Sequence, residues 1–149
     1  MDDSPEWQIP ASSGFFGLVL RSCAEEYSKL QEGIVSFGTN HGYSKAFLAE
    51  LELTLKEAFV NALRHGNREN DALPVTVQFR TGPAGKTLDV TVRDCGRGFM
   101  PESIPDPTRN SFLHKRYGRG FHIIRSYAEI VGTQADDSGF SLTLRYVPR

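Results

Sequence analysis

Three groups of residues in this sequence have the types and spacing to do chemistry. The first is Glu57 with Asn61, set among Leu55, Ala58, Phe59, Val60, Ala62 and Leu63, a stretch apolar on most sides. At i and i+4 of a helix the two polar side chains are neighbours on one face. Either they form a hydrogen-bonded pair on a thin solvent strip, or the carboxylate is a general base beside an amide oxygen that holds Mg2+. Such a hard cation prefers oxygen ligands. His65, nearby, reads as a helix C-terminal residue favoured by the dipole rather than as a metal ligand.

The second group is Asp94-Cys95-Gly96-Arg97-Gly98. Side chains alternate along a strand, so position 94 shares the parity of Leu88, Val90 and Val92 and points toward the core. A carboxylate there is costly unless something donates to it. One reading is a strand-end Asp that turns to solvent and caps the next turn. The other is an inward acceptor for an amine-bearing base such as adenine, with Gly96 and Gly98 letting a flat ligand approach the backbone.

The third group is Gly118-Arg119-Gly120-Phe121 at the start of a helix, where exposed backbone N–H groups and the dipole attract anions. It lies in a stretch, Pro107 to Ala128, with no acidic residue but with Arg109, Lys115, Arg116, Arg119 and Arg125. That stretch is either a solvated basic face or a loop that meets phosphate.

These groups must be positioned by the elements around them. Residues 1–13 read as a loose tail and 14–149 as one domain. A strand from Phe15 to Leu20 leads into a helix with Cys23, Tyr27, Leu30, Ile34 and Phe37 at helical spacing, ending near Asn40-His41-Gly42. Ser44 caps a second helix that runs to about His65 and stops at Gly66. Alternating strands follow at 75–80 and 88–93, joined by a hairpin-type loop at 81–86. A long loop covers 95–117, a third helix runs from Gly120 to Val131, and Phe140, Leu142, Leu144 and Tyr146 alternate in a last strand. The order β-α-α-β-β-loop-α-β predicts an α+β fold: a two-layer α/β sandwich, its mostly antiparallel sheet carrying helices on one face.

Composition is permissive. With 149 residues, 39% hydrophobic, 23% charged and net charge −1, nothing global points to nucleic acid or an acidic membrane surface. No apolar run approaches the roughly 20 residues of a membrane span. The acidic start, and two cysteines without Cys-x-x-Cys spacing, fit a cytoplasmic location and no zinc site.

In order, Glu57-x-x-x-Asn61, Asp94-x-Gly96-x-Gly98 and Gly118-x-Gly120 resemble the three nucleotide boxes of the GHKL ATPase superfamily, whose architecture is the Bergerat fold. The likeness covers roughly residues 15–147 and is greatest to the bacterial anti-sigma factor serine/threonine kinases. It extends to Asn61-Ala62-x-x-His65-Gly66, Asp94-x-Gly96-x-Gly98-Phe99 and Arg116-x-Gly118-x-Gly120-Phe121. The resemblance implies that Asn61 coordinates Mg2+ on the ATP phosphates and that Glu57 takes the proton from an attacking serine hydroxyl. It implies that Asp94 binds the adenine amino group in a pocket shaped by Gly96 and Gly98. Residues 99–117 would be an ATP lid, and Arg116 would point toward the γ-phosphate. Gly118 and Gly120 would contact phosphates, with Phe99, Arg119 and Phe121 in the same nucleotide-binding boxes. Where the family often has Gly-Thr entering the last strand, this chain has Gly139-Phe140.

An autonomous sensor histidine kinase would need a phospho-accepting histidine helix ahead of these boxes, and gyrase or MutL a transducer domain after them, so neither is the expectation for this sequence. The resemblance therefore implies a protein serine kinase that phosphorylates a STAS-type anti-sigma factor antagonist and binds a sigma factor or another regulator. Two alternatives stay open: a non-catalytic, ATP-gated binding module, and the ATP domain of a split histidine kinase. Members commonly act as homodimers, although nothing in the sequence marks a dimer surface.

Overall fold

A computed structural model describes residues 14–96 and 120–149. Alternation builds the sheet. Phe16, Leu18 and Leu20 of β1 (Phe15–Arg21), Val75, Val77 and Phe79 of β2 (Pro74–Thr81), and Leu88, Val90 and Val92 of β3 (Leu88–Asp94) all turn to one buried face. With β4 (Glu129–Asp136) and β5 (Gly139–Tyr146), the described strands form one sheet in the order β1-β2-β3-β5-β4. Every pairing is antiparallel.

The helices cover the apolar face. In α1 (Tyr27–Asn40), which follows a 3-10 turn at Ala24–Glu26, Leu30, Ile34 and Phe37 recur at helical spacing and are fully buried. Its end is closed by Gly42 at φ 73°, with the Tyr43 amide donating to Gly38 O at 2.9 Å and the Gly42 amide to Thr39 O at 3.1 Å. In α2 (Lys45–Asn61) the Ser44 Oγ accepts from the Phe47 amide at 3.1 Å, and Leu51, Leu55 and Phe59 are fully buried. Phe121 and Ile124 of α3 (Gly120–Tyr127) join them. Rings meet where the layers touch, Phe37 lying 5.3 Å from Phe79 and 6.2 Å from Phe16. Each fully buried Leu or Phe contributes about 1.5–3 kcal/mol.

The other face of the sheet is polar. There Arg145 clasps Asp89 through two bonds of 2.9 and 3.0 Å, and Thr91 bonds Thr143 at 2.9 Å. No described helix is long and apolar enough to cross a membrane.

The α+β sandwich is as expected, with three local corrections. Cys23 precedes the first helix rather than belonging to it. The third helix ends at Tyr127, and residues expected to extend it form β4, an edge strand paired with β5. Gly66 is not a left-handed helix stop: α2 widens into a π-turn at Ala62–Gly66, and the positive φ angles fall on Arg68 (52°) and Glu69 (60°).

Candidate functional site

Strand parity delivers Asp94 to the buried face, where it is 5% exposed. The Gly96 amide donates to its Oδ1 at 2.8 Å, meeting part of the cost of burying a carboxylate. Asp94 therefore faces inward and does not turn out to solvent, although it still caps the turn after β3. A cleft opens beside it, lined by Ala58, Asn61, Ala62, Val92, Asp94, Phe140 and Leu142. The β3–β5 register accounts for one wall, with Asp94 opposite Phe140 and Val92 opposite Leu142. The end of α2 and its π-turn make the other. One carboxylate and one amide in an otherwise apolar lining suit a flat, largely apolar group that carries a hydrogen-bond donor.

The walls come very close together. A Cβ on Gly66 would land on the Asp94 carboxylate, and one on Gly96 would land on the Gly66 carbonyl. Gly66 thus matters through the atom it lacks, which lets the π-turn lie against β3.

Asn61, 9% exposed, brings its carboxamide to the cleft from the last turn of α2. Glu57 lies one turn earlier, outside the lining and partly exposed. A Cβ on Gly120 would collide with Glu57 Oε2, so the first residue of α3 rests against that carboxylate. The fold therefore brings Glu57, Asn61, Asp94, Gly96 and Gly120 together from α2, the β3 turn and α3. His65 is exposed in the π-turn that ends α2.

Phe121 departs from expectation. It is 4% exposed with its ring in the hydrophobic core, so only its backbone can serve a ligand. The reason is helical geometry: Phe121 and Ile124 are three apart and share the face of α3 that packs on the core. Gly98, Phe99, Arg116, Gly118 and Arg119, with the expected lid at 99–117 and the tail at 1–13, lie outside the described residues.

Among the described residues no group of three or more His, Cys, Asp or Glu side chains could hold a metal. The cleft offers the Asn61 amide besides the Asp94 carboxylate. This fits Mg2+ of the kind bound by one or two protein oxygens together with substrate phosphates and water.

Phe140, noted in the sequence as the residue that stands where the family often has threonine, lies directly across from Asp94. One residue of the site went unread in the sequence. Asn67 is 2% exposed; its Oδ1 accepts the Cys95 amide at 2.7 Å, at the start of the turn that carries Asp94 and Gly96. In the sequence it sits in the polar run Asn67-Arg68-Glu69-Asn70-Asp71, which reads as an ordinary loop.

Solved structures of other proteins resemble this chain. A structure of the RsbU and RsbW domains of Rv1364c from Mycobacterium tuberculosis matches with a TM-score of 0.62 at 14% identity, over 91% of this chain and 33% of that one. The Erythrobacter litoralis EL346 blue-light activated histidine kinase matches at TM-score 0.48 and 25% identity, over 70% of this chain and 31% of that one. This chain thus spans about a third of the length of these two proteins. No curated protein matches it at a significant level. A family model described as the histidine kinase-like ATPase domain matches residues 20–146, a span that includes α2, the Asp94 turn and the start of α3. That span covers well over half of the sequence, and the chain belongs to the histidine kinase-like ATPase domain family.

Proposed function

We propose that this protein is an ATP-dependent protein serine/threonine kinase of the anti-sigma type. It would phosphorylate a STAS-type antagonist and bind a sigma factor or another regulator, as a homodimer. The observation that carries this reading is the place of Glu57. Its carboxylate lies one helical turn from Asn61 and against Gly120, yet it is partly exposed rather than sealed in the cleft. A base that must meet a hydroxyl on another protein needs that access. The likeness to a protein that carries an RsbW domain by name is in keeping with it.

In this reading adenine enters the cleft with its exocyclic amine toward Asp94, and Val92, Phe140 and Leu142 exclude water from the base. Asn61 would hold Mg2+, which would supply charge neutralisation at the phosphates, and the first amides of α3 would face the phosphate end. Glu57 accepts the proton as the serine oxygen attacks the γ-phosphorus, the bond to the β-γ bridging oxygen breaks, and ADP leaves. Positioning and charge neutralisation supply most of the catalysis in such transfers.

The test is incubation with Mg-ATP and the antagonist, followed by mapping of the phosphorylated residue. Wild type should form acid-stable phosphoserine, and Glu57→Ala should slow transfer by about 10²–10⁴ while leaving ATP binding intact. Acid-labile phosphate on histidine would indicate a split histidine kinase instead. Tight ATP binding with no transfer to the genuine antagonist would indicate a nucleotide-gated binding module.

A further inference from the structure

Asn67 is tied to three separated segments. Its Nδ2 donates to Ser22 Oγ at 2.7 Å, to Pro74 O at 2.9 Å and to Leu73 O at 3.2 Å. Its Oδ1 accepts the Cys95 amide at 2.7 Å, and its own amide closes the π-turn on Ala62 O at 2.8 Å. Ser22, 1% exposed, donates in turn to Leu73 O at 2.6 Å. One buried side chain thus joins the segment after β1, the entry to β2 and the turn after β3. Immediately after it come Arg68 and Glu69, two consecutive non-glycine residues in the left-handed region. A backbone path so disfavoured persists only where its surroundings over-determine it, and here Asn67 holds one side while the Glu69 amide donates to Leu63 O at 2.6 Å on the other.

The bond to Cys95 stands apart from the others. Cys95 is exposed and lies between Asp94 and Gly96. The Gly96 amide is the donor that meets Asp94 Oδ1, so the peptide that Asn67 grips leads directly into the turn that orients the carboxylate. We infer that Asn67 is a positioning residue for base recognition: by holding the Cys95 amide it sets the angle at which Asp94 meets the exocyclic amine of a bound purine. The bonds to Ser22, Leu73 and Pro74 anchor Asn67, and the bond to Cys95 transmits that anchoring to the ligand. Asn67 lies outside the cleft lining, so it governs discrimination at the amine through Asp94 and not the chemistry at the γ-phosphate. This rests on the Asp94 cleft being the adenine end of a nucleotide site.

The test has two arms. Amide hydrogen exchange on the nucleotide-free wild type should show Cys95 protected at least tenfold although its residue is exposed; exchange at the unprotected rate overturns the inference without any variant. In the second arm, affinities for ATP and for purine riboside triphosphate, which lacks only the exocyclic amine, are compared in wild type, Ser22→Ala and Asn67→Ala. Wild type should prefer ATP about tenfold or more. Ser22→Ala should melt at a lower temperature yet keep that preference, because Asn67 retains Leu73 and Pro74. Asn67→Ala, measured at a temperature where it is folded, should lose ATP affinity while its affinity for the amine-free ligand changes less than about twofold. An unchanged preference in folded Asn67→Ala, or an equal loss for both ligands, overturns the role. A wild type that does not prefer ATP refutes the adenine assignment instead, and the exchange of Cys95 still decides whether Asn67 holds the turn.

Discussion

The Asp94 carboxylate is 5% exposed, accepts the Gly96 amide at 2.8 Å and lies across from an apolar ring at Phe140. Replacing it with asparagine keeps the shape and the acceptor for Gly96 but removes the charge that an amine donor meets. Hydrogen bonds to charged groups contribute roughly 1.5–3 kcal/mol. Asp94→Asn should therefore weaken ATP binding about tenfold to a hundredfold in a calorimetric titration, well before it unfolds the protein. Unchanged affinity would remove Asp94 from base recognition. The sequence could announce this residue because alternation along Leu88, Val90 and Val92 is a local property that extends one step further. Asn67 could not be read in the same way, since its partners Ser22 and Cys95 lie 45 and 28 residues away in the chain. Phe121 was misjudged for a related reason. A motif assigns a position to a box, but the helical face on which that position falls decides whether the side chain meets ligand or core.

At the scale of elements, α2 carries both polar site residues, Glu57 and Asn61, on its last turns and is capped at its far end by Ser44. Loss of an N-cap hydroxyl costs about 1 kcal/mol. Ser44→Ala should lower the unfolding free energy by that amount and leave ATP affinity unchanged, because the cap lies at the opposite end of α2 from Asn61. A change in affinity larger than the change in stability would mean that the cap sets the site as well as the helix. Caps and strand alternation are written in neighbouring residues, which is why α2, β2 and β3 were legible. The β4 strand was not. Phe121, Ile124, Ala128 and Val131 keep helical spacing through it, and no glycine or proline marks the break after Tyr127. The irregular register between Ile130 and Gly132 further blurs the two-residue period. Only pairing with β5 decides that segment, and such pairing is a tertiary effect. The π-turn after Asn61 was equally hidden, because the close approach of Gly66 to Asp94 arises only once β3 is in place.

Across the whole molecule, three of the five tyrosines stand where the helices meet one another or the sheet. Tyr146, 1% exposed on β5, shares a 2.7 Å bond with Thr54 of α2. Tyr27 of α1 donates to Glu52 O of α2 at 3.0 Å. The buried Tyr43 hydroxyl, between α1 and α2, has no hydrogen-bond partner among the described residues. Burial disfavours each phenolate. Loss of solvation, with the Glu52 charge adding to it, pushes Tyr27 up to about 12. Loss of solvation raises Tyr43, and raises Tyr146 despite the Thr54 bond, which acts in the opposite direction. The sign follows from linkage. Below pH 10 folded and unfolded chains both keep these protons, so the stabilisation is complete. As pH rises past 10 the unfolded chain releases protons that the folded chain retains, and stability falls until the folded groups titrate as well. A fully buried tyrosine such as Tyr146 should alone remove about 1.4 kcal/mol per pH unit in that window. Denaturant midpoints should accordingly hold steady from pH 8 to near 10 and then drop. Phenolate absorbance should rise together with the loss of helical circular dichroism, and Tyr146→Phe should flatten the decline. Independent titration of all five tyrosines near pH 10 with the fold intact would show that these hydroxyls are not sealed between the layers.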